Sequence, residues 1–244
     1  MILEFDVGNS ALKWRLLDAA GAVARRGNLA STGQLHEVSE SVARVSRLRV
    51  ASVAADETAA AIESWAHSAL GVEVEFARTA AAFGGLINSY AEPERMGVDR
   101  WLAMLAAYVP RRSAVLVIDA GTAVTLDYVD ADGRHRGGYI LPGQRLSRSA
   151  LLRDTSRVRF SEDVDVLPLP GCSTAEAVSN GALFVLVAAV ESAIRQAQEF
   201  WGRQFSVVLT GGDGGEILRH VNTGSLDCEF APDLVFEGLG IALP

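Results

Sequence analysis

LEFDVGNSALK at residues 3–13 and VIDAGTAVT at residues 117–125 follow one plan. In each stretch an apolar run ends in Asp, Gly follows two positions later, and a polar amide or hydroxyl residue comes next. The two aspartates, Asp6 and Asp119, lie about half the chain length apart. A repeated turn of this kind predicts two domains of common design that face each other across a cleft, each presenting a turn to phosphate and metal.

The residues after each glycine predict a strand and not a helix. In a P-loop or a Rossmann turn, the chain enters a helix whose amino end binds the phosphate. Residues 11–16 and 124–129 instead alternate with a period of two and include β-branched and aromatic side chains. Each stretch is therefore predicted to form a β-hairpin with a tight glycine turn.

The predicted turns carry the groups that phosphate and metal ions need. Gly8 and Gly121 permit positive φ and a close approach of the backbone. The turn amides and the hydroxyls of Ser10 and Thr122 would then point at phosphate oxygens, and the carboxylates would hold a cation directly or through water. The alternative is an ordinary hairpin in which the Asp side chain stabilises its own turn.

Composition limits the class of protein. The chain has 244 residues, of which 49% are hydrophobic and 21% charged, so it is globular and long enough for one large or two small domains. A net charge of −8 argues against a nucleic-acid partner. Two cysteines form neither a disulfide framework nor a zinc cluster. With no visible secretory signal and no apolar run long enough to cross a bilayer, we expect a cytoplasmic protein without a membrane partner.

Strands and helices alternate along the chain, which predicts a mixed α/β architecture. A proline and a polar cluster at residues 110–113 mark the predicted boundary between a domain at 1–112 and a domain at 113–244. Besides the hairpins, strands are predicted near residues 23–29, 49–53, 72–76 and 206–209 and up to residue 140, and helices near 34–45, 56–70, 97–109, 143–152 and 173–200 and from residue 232.

Seven short motifs occur in one order along the chain. They are DVGNSALK (6–13), NSY (88–90), GVDR (97–100), DAGTAVT (119–125), GGYILPG (137–143), TAEAV (174–178) and TGGD (210–213). In these motifs the chain resembles the type III pantothenate kinases, and it is also similar to Bvg accessory factor proteins of the same family. The resemblance implies membership of the acetate-kinase, sugar-kinase, heat-shock ATPase and actin superfamily, with two related actin-like (ribonuclease H-like) domains whose mixed sheets are flanked by helices.

The resemblance implies a nucleotide site. Thr122 would contact ATP phosphate from the second domain, Asp6 would act on Mg²⁺ through water, and Asp119 would bind a monovalent cation, K⁺ or NH₄⁺. Gly211 and Gly212 would let adenosine lie close to the backbone, although a simple strand-to-helix turn also explains them. Lys13 would screen phosphate charge or would be a solvated strand residue. The ATP-binding residues of the first hairpin would be Asp6, Val7, Gly8, Asn9, Ser10, Ala11, Leu12 and Lys13.

The resemblance also implies a substrate site, in which Asp99 is the predicted general base. Asp99 lies in the first turn of an amphipathic helix, where the helix dipole favours the ionised carboxylate; the alternative is that it only stabilises that helix. Arg100 would offer paired donors to the substrate carboxylate. The substrate-binding residues would be Tyr90, Gly97, Val98, Asp99, Arg100 and Thr174.

Two structural roles remain open at the start of the long helix. Thr174 would bind substrate unless its hydroxyl caps the helix, a role for which Ser173 competes. The resemblance implies a homodimer whose pocket is completed by the second subunit. The apolar helix at residues 175–193 would supply the interface, and a buried helix within one chain explains its composition equally well.

The predicted reaction is ATP-dependent phosphorylation of pantothenate to 4′-phosphopantothenate, the first step of coenzyme A biosynthesis. One alternative is a different small-molecule kinase of the same superfamily. The other is a non-catalytic, nucleotide-binding accessory protein that regulates transcription.

Overall fold

A computed structural model describes residues 1–42, 44–155, 158–160 and 164–244 of the chain. Contacts divide the chain into two compact units, the first made of residues 1–84, 90–106 and 234–244, the second of residues 85–89 and 107–233. The predicted domain ranges, 1–112 and 113–244, stay a prediction. Residue 43, inside the helix predicted at 34–45, lies outside the described residues.

The secondary-structure elements alternate as the sequence predicts. In chain order they are β1 (Ile2–Val7), β2 (Leu12–Leu17), β3 (Val23–Leu29), α1 (Leu35–Ser41), β4 (Arg47–Ser52), α2 (Asp56–Trp65), β5 (Val74–Phe76), β6 (Ala82–Phe83), β7 (Leu86–Ile87), α3 (Val98–Tyr108), β8 (Ala114–Ala120), β9 (Ala123–Val129), β10 (His135–Pro142), α4 (Gln144–Asp154), α5 (Thr174–Trp201), β11 (Phe205–Thr210), α6 (Gly214–His220), β12 (Asp227–Phe230) and α7 (Leu234–Ala242). A π-helical turn, Ala66–Leu70, extends α2 to the end of its predicted range.

Both units contain a five-stranded sheet of the same topology. The strand order is β3-β2-β1-β4-β5 in the first unit and β10-β9-β8-β11-β12 in the second. In each sheet three antiparallel strands form a meander, and two further strands run parallel to its first strand. This repeated order confirms the predicted fold class, two related α/β domains with mixed sheets.

Both predicted hairpins form, and their registers place the two aspartates at matching positions. Asp6 is opposite Lys13 in β2, and Asp119 is opposite Thr125 in β9, each one residue pair before the pair that closes the turn. The amide of Gly8 donates to the carbonyl of Ala11 across the first turn. Neither Gly8 nor Gly121 has positive φ, so these turns do not use the left-handed conformation that glycine permits.

A hydrophobic core covers one face of each sheet. In the first unit Leu3, Phe5 and Val7 alternate with the polar residues of β1 and pack in a core that includes residues of α1 and α2. In the second unit β8, β9 and β11 pack against α5. Ser173 caps α5, since its hydroxyl accepts from the amide of Glu176 and the Glu176 carboxylate accepts from the Ser173 amide. The predicted capping box is therefore confirmed.

Three elements of the second unit were not predicted: the two-residue strand β7, the helix α6 and the strand β12. The helix α6 has only seven residues and begins with two glycines, which are poor helix formers. The edge strand β12 reads Asp-Cys-Glu-Phe and is largely exposed, so it lacks the apolar alternation of a buried strand. Its pairing with β11 supplies the order that its sequence does not.

The face of the first sheet opposite its core carries a buried ion network beneath α7. The Glu4 carboxylate is fully buried, and it accepts from Arg15 Nε at 2.6 Å and from Arg49 Nη1 at 3.4 Å. The Arg15 guanidinium lies 4.9 Å from the centre of the Phe236 ring in α7. A buried charge is costly without a partner. The ion pairs of Glu4 therefore depend on α7 packing closely enough over them to exclude water.

The close packing of α7 against α3 depends on Gly238. A Cβ built on Gly238 would overlap the carbonyl oxygen of Leu102 in α3, whereas a Cβ on Gly240 would stand in ordinary contact, 3.6 Å from Arg49 Nη1. We expect Gly238→Ala to lower the free energy of unfolding by about 1–3 kcal/mol or more through overpacking. Gly240→Ala, in the same helix, should be neutral or stabilising by up to about 1 kcal/mol. Urea unfolding of both variants tests this, and equal stabilities would contradict it.

Candidate active site

The Asp6 carboxylate occupies an unfavourable environment for a negative charge. It lies near the end of β1, on the face of the strand opposite the core. Burial raises the pKa of Asp6 to about 6, the positive charge of Lys13 partly offsets this rise, and the negative charge of Asp99 adds to it. A carboxylate held in this way gains from any cation that binds beside it.

Lys13 faces Asp6 directly across the β1–β2 ladder and is partly buried. Its positive charge lowers the pKa of Asp6, partly offsetting the effect of burial. Whether it also screens phosphate charge stays a prediction.

A depression of about 340 Å³ lies beside the first turn. It is lined by residues 7–12, by residues 30–32 and by residues 54, 55 and 58 at the amino end of α2. Asn9 and Ser10 are exposed at the tip of the turn. The N-cap of α2 is Ala55, whose side chain makes no capping bond. Hydroxyl groups and a helix amino end are suited to an anionic ligand.

The first turn of α3 holds the predicted base. Asp99 is partly buried, and its Oδ1 accepts from the amide of Arg100 at 2.7 Å. A Cβ built on Gly97 would lie 2.5 Å from the same oxygen, so glycine at this position leaves room for the carboxylate. Because Asp99 contributes to the raised pKa of Asp6, the first unit brings these two carboxylates close enough to interact.

The predicted substrate residues Tyr90 and Arg100 are in contact. The Arg100 side chain is buried, its Nη1 donates to Tyr90 Oη at 2.9 Å, and its guanidinium lies 5.7 Å from the centre of the Tyr90 ring. A guanidinium held by a hydroxyl and a ring keeps a fixed direction, as a carboxylate-binding group requires. A second depression, of about 320 Å³, is bordered by Gly97 and Val98. Its lining includes Arg78, which the sequence motifs did not indicate.

In the second unit, Asp119 lies beside the glycine motif that follows β11. The parallel β8–β11 register pairs Asp119 with Thr210, and the next residue, Gly211, has φ of +86°. A Cβ on Gly211 would overlap the carbonyl of Ala120 and approach Asp119 Oδ1 to 2.6 Å. Gly211 is therefore required by the packing of this turn, whatever its role toward adenosine.

Gly212 differs from its neighbour, because nothing lies within 4 Å of a Cβ built on it. The chain passes from β11 into α6 through this segment, so a strand-to-helix turn is present. The Asp213 amide donates to the Ala120 carbonyl, which joins the segment to the end of β8. Burial raises the pKa of the Asp213 carboxyl, and the charge of Glu216 adds to the effect. A role of the two glycines in adenosine binding stays a prediction.

Thr122 is exposed at the second turn, and Arg145 lies next to it. Arg145 Nη2 is 3.4 Å from Thr122 Oγ1, and the amide of Gly143 donates to the Thr122 carbonyl at 3.0 Å. The motifs did not indicate Arg145, although its place two residues after the end of the GGYILPG motif, in the first turn of α4, was a usable signal. A cation beside a predicted phosphate-binding hydroxyl adds to the attraction for phosphate.

Thr174 is exposed at the first position of α5, and Ser173 fills the capping role that competed with it. Thr174, Thr122 and Asp119 belong to the second unit, and Asp6 and Asp99 belong to the first. The described part of the chain contains no group of three or more His, Cys, Asp or Glu side chains placed to hold a metal ion. A Mg²⁺ ion at Asp6 would thus take most of its oxygen ligands from nucleotide and water, as Mg²⁺ commonly does.

The raised pKa of Asp6 predicts a pH-dependent cost to stability. Because the folded-state pKa of about 6 exceeds the ordinary value of 3.8, this group's favourable contribution is complete at low pH and is lost as the pH rises through about 6. Asp6→Asn should therefore unfold at higher urea concentration than wild type at about pH 7.5, with the difference vanishing near about pH 4. Asp154→Asn is the control, because the Arg153 side chain lowers the pKa of Asp154. An equal difference at both pH values would contradict the assignment.

Solved structures with the same architecture span nearly the whole chain. A putative Baf family transcriptional activator from Campylobacter jejuni superposes with a TM-score of 0.61 at 18% identity, covering 98% of this chain and 95% of that one. A putative 2-dehydro-3-deoxygalactonokinase from Sinorhizobium meliloti gives a TM-score of 0.52 at 13% identity, covering 99% and 98%. At these identities the likeness shows a shared fold and nothing further.

Sequence relatives are much closer. The family model described as type III pantothenate kinase matches residues 2–196. A type III pantothenate kinase from Azotobacter vinelandii is 41% identical, and one from Ectopseudomonas mendocina is 40% identical. In both cases the match covers 100% of this chain and 99% of the relative. The chain belongs to the type III pantothenate kinase family.

Proposed function

We propose that this protein transfers the γ-phosphoryl group of ATP to the primary hydroxyl of pantothenate, the first step of coenzyme A biosynthesis. Membership of the family over the full chain supports the reaction. The structural observation that carries the proposal is that the first unit contains both the buried Asp6, whose pKa is raised mainly by burial and to a smaller extent by the charge of Asp99, and Asp99 itself in the first turn of α3. One carboxylate suits a metal–phosphate group and the other suits a reacting hydroxyl.

In the first unit, the proposed phosphate-binding groups are the exposed amides and hydroxyls at residues 8–11, with Lys13 supplying positive charge. In the second unit, the proposed phosphate-binding group is the hydroxyl of Thr122, with Arg145 supplying positive charge beside it. Asp6 would hold Mg²⁺ through water, and the ion supplies charge neutralisation to the phosphates when it is bound. Asp6 is partly buried, and the described residues place no group of further carboxylates around it. Such a site fits an ion that arrives with the nucleotide.

In the proposed reaction Asp99 accepts the hydroxyl proton of pantothenate. The hydroxyl oxygen forms a bond to the γ-phosphorus, the bond from that phosphorus to the bridging oxygen of ATP breaks, and ADP leaves. Proton acceptance by a side chain contributes about 10²–10⁴-fold, and the remainder comes from positioning and charge neutralisation. Arg100, oriented by Tyr90, would bind the carboxylate of pantothenate with paired hydrogen bonds.

Asp119 is the proposed ligand of a monovalent cation, K⁺ or NH₄⁺. It occupies the position of Asp6 in the second sheet, but the residue across the ladder is Thr125 where the first sheet has Lys13. The carbonyl oxygen of Ala120 is a further oxygen ligand near Asp119, because this oxygen and Asp119 Oδ1 both lie against Gly211. A single carboxylate among neutral oxygens fits a singly charged ion.

A homodimer is the proposed assembly. Residues 177, 181, 184, 185 and 188 recur at helical spacing along one face of α5, and Phe184 and Val185 on that face are each 59% exposed. By length and hydropathy alone, α5 could also cross a membrane. However, 44% of its most apolar window is buried inside the protein, so its length and hydropathy only weakly favour a membrane helix. Burial of the exposed face against a second copy explains it within a cytoplasmic enzyme.

The activity test uses purified protein, ATP, Mg²⁺ and pantothenate, with and without potassium, and detects phosphopantothenate by mass. Wild type should form product with potassium and little without it, while Asp99→Asn should lose about 10²-fold or more in kcat. Glu237→Gln is the control, because it also removes an acid from the first turn of a helix, but at an exposed position outside the proposed site. Product formation by Asp99→Asn at the wild-type rate would exclude Asp99 as the base.

The same assay separates the alternative functions. Equal turnover of a sugar would favour another kinase of the superfamily. No product from wild type under either salt condition would favour the accessory regulator.

The dimer proposal predicts that Phe184→Glu yields a monomer, because a charge on the centre of an apolar interface must lose its hydration on association. Gln198→Glu places the same charge on an exposed polar position of the same helix and should leave the dimer intact. Light scattering after size-exclusion chromatography gives the mass of each variant. A wild-type monomer, or a dimer that persists in Phe184→Glu, would contradict the proposed interface.

A further inference from the structure

Three polar side chains of the second unit form a hydrogen-bonded chain that the proposed mechanism does not use. His135 Nε2 lies 3.0 Å from Asp127 Oδ1, and His135 Nδ1 lies 2.9 Å from Ser89 Oγ. Asp127 and His135 are buried, with 1% and 4% of their surfaces exposed, whereas Ser89 is exposed. The chain thus runs from the interior of the unit to its surface.

The buried carboxylate determines how the imidazole is used. An acceptor-only group in the interior needs a donor, so His135 Nε2–H is assigned as the donor to Asp127. The neutral ring then has an acceptor at Nδ1, and Ser89 Oγ–H donates to it. This arrangement gives the imidazole one orientation and fixes the position of the Ser89 side chain.

The segment at residues 85–89 has other anchors in the same unit. Leu86 is fully buried, and the amide of Ile87 donates to the Gly133 carbonyl at 2.8 Å. Gly133 has φ of +84°, and a Cβ there would overlap the carbonyl of Gly85. Ser89 is the last residue of this segment, and its bond to His135 adds a further anchor at that end.

We propose that His135 and Asp127 are positioning residues for Tyr90 and act through Ser89. One peptide bond joins Ser89 to Tyr90, so their Cα atoms are about 3.8 Å apart and holding the first restricts the second. Tyr90 in turn holds the Arg100 guanidinium through a hydrogen bond and its ring. The inference rests on the proposed function, in which Arg100 and Tyr90 bind the carboxylate of pantothenate.

The test compares steady-state kinetics of Ser89→Ala, Ser89→Thr and His135→Gln. Gln can replace the Nε2 donor toward Asp127 but does not reach the position of Nδ1, so this variant keeps the buried carboxylate partnered and removes only the acceptor for Ser89. We expect Ser89→Ala and His135→Gln each to raise the KM for pantothenate about three- to tenfold and to change the KM for ATP by less than about twofold. Ser89→Thr, which keeps the hydroxyl, should stay within about twofold of wild type. The double variant Ser89→Ala/His135→Gln should have a KM for pantothenate no higher than that of either single variant, because both substitutions remove the same hydrogen bond.

Ser206→Ala is the control, since it removes a serine hydroxyl bonded to Asp227 elsewhere in the unit and should leave both KM values unchanged. A raised KM in Ser89→Ala but not in His135→Gln would mean that Ser89 touches the substrate itself, and would overturn the positioning role. Labelling of Ser89 by a fluorophosphonate would also overturn it, because a Ser–His–Asp chain is the arrangement of a serine nucleophile. If Ser89 is an exposed surface residue without a role, all variants will match wild type.

Tyr90→Phe and wild type separate this inference from the proposed function. An inactive wild type ends both. An active wild type in which Tyr90→Phe raises the pantothenate KM and Ser89→Ala does not would leave the proposed function standing and overturn the positioning role.

Discussion

The register of the two glycine hairpins determines which side chains of each sheet are buried and where the turn carboxylates lie. In β1 the core residues Leu3, Phe5 and Val7 alternate with Glu4 and Asp6. A slip of one residue against β2 would move the carboxylates into the core and the apolar side chains out of it. The buried face therefore fixes the pairing, and the pairing fixes where the turn carboxylate emerges. The same argument holds for β8 and β9 in the second unit.

The two sheets share a topology but differ in the charges of the residues that lie opposite their acidic side chains. Asp6 has a lysine across the ladder, whereas Asp119 has a threonine. Two residue pairs farther from each turn, Glu4 is opposite Arg15 in the first sheet and Val117 is opposite Asp127 in the second. The first copy thus carries its own cations beside its acids. The second copy has its buried acid, Asp127, paired with His135, and the position that corresponds to Lys13 is a neutral threonine.

Much of this fold could be predicted from local pattern, because the decisive signals are local. Alternation after each glycine predicts the hairpins, and Ser173 followed by Glu176 predicts the start of α5. Long-range pairing could not be read in this way. The partners of Glu4 come from two other strands and are covered by α7, and Arg145 reaches Thr122 only after β10 and α4 fold back. The site residues marked by the motifs remain predictions about chemistry, since the fold places them without assigning their roles.

The raised pKa of Asp6 would couple folding to the binding of a cation at this carboxylate. In the free protein, burial and the charge of Asp99 oppose its ionisation, so near neutral pH part of the folding free energy is spent on an unfavourable carboxylate. A cation bound beside Asp6 would offset that penalty, and its binding would raise the stability of the complex. Replacing Asp6 by a neutral amide would make the free protein more stable and would weaken the binding of such a cation. Burial accounts for the largest part of the raised pKa and the charge of Asp99 for a smaller part, and the apolar core of the unit must offset both.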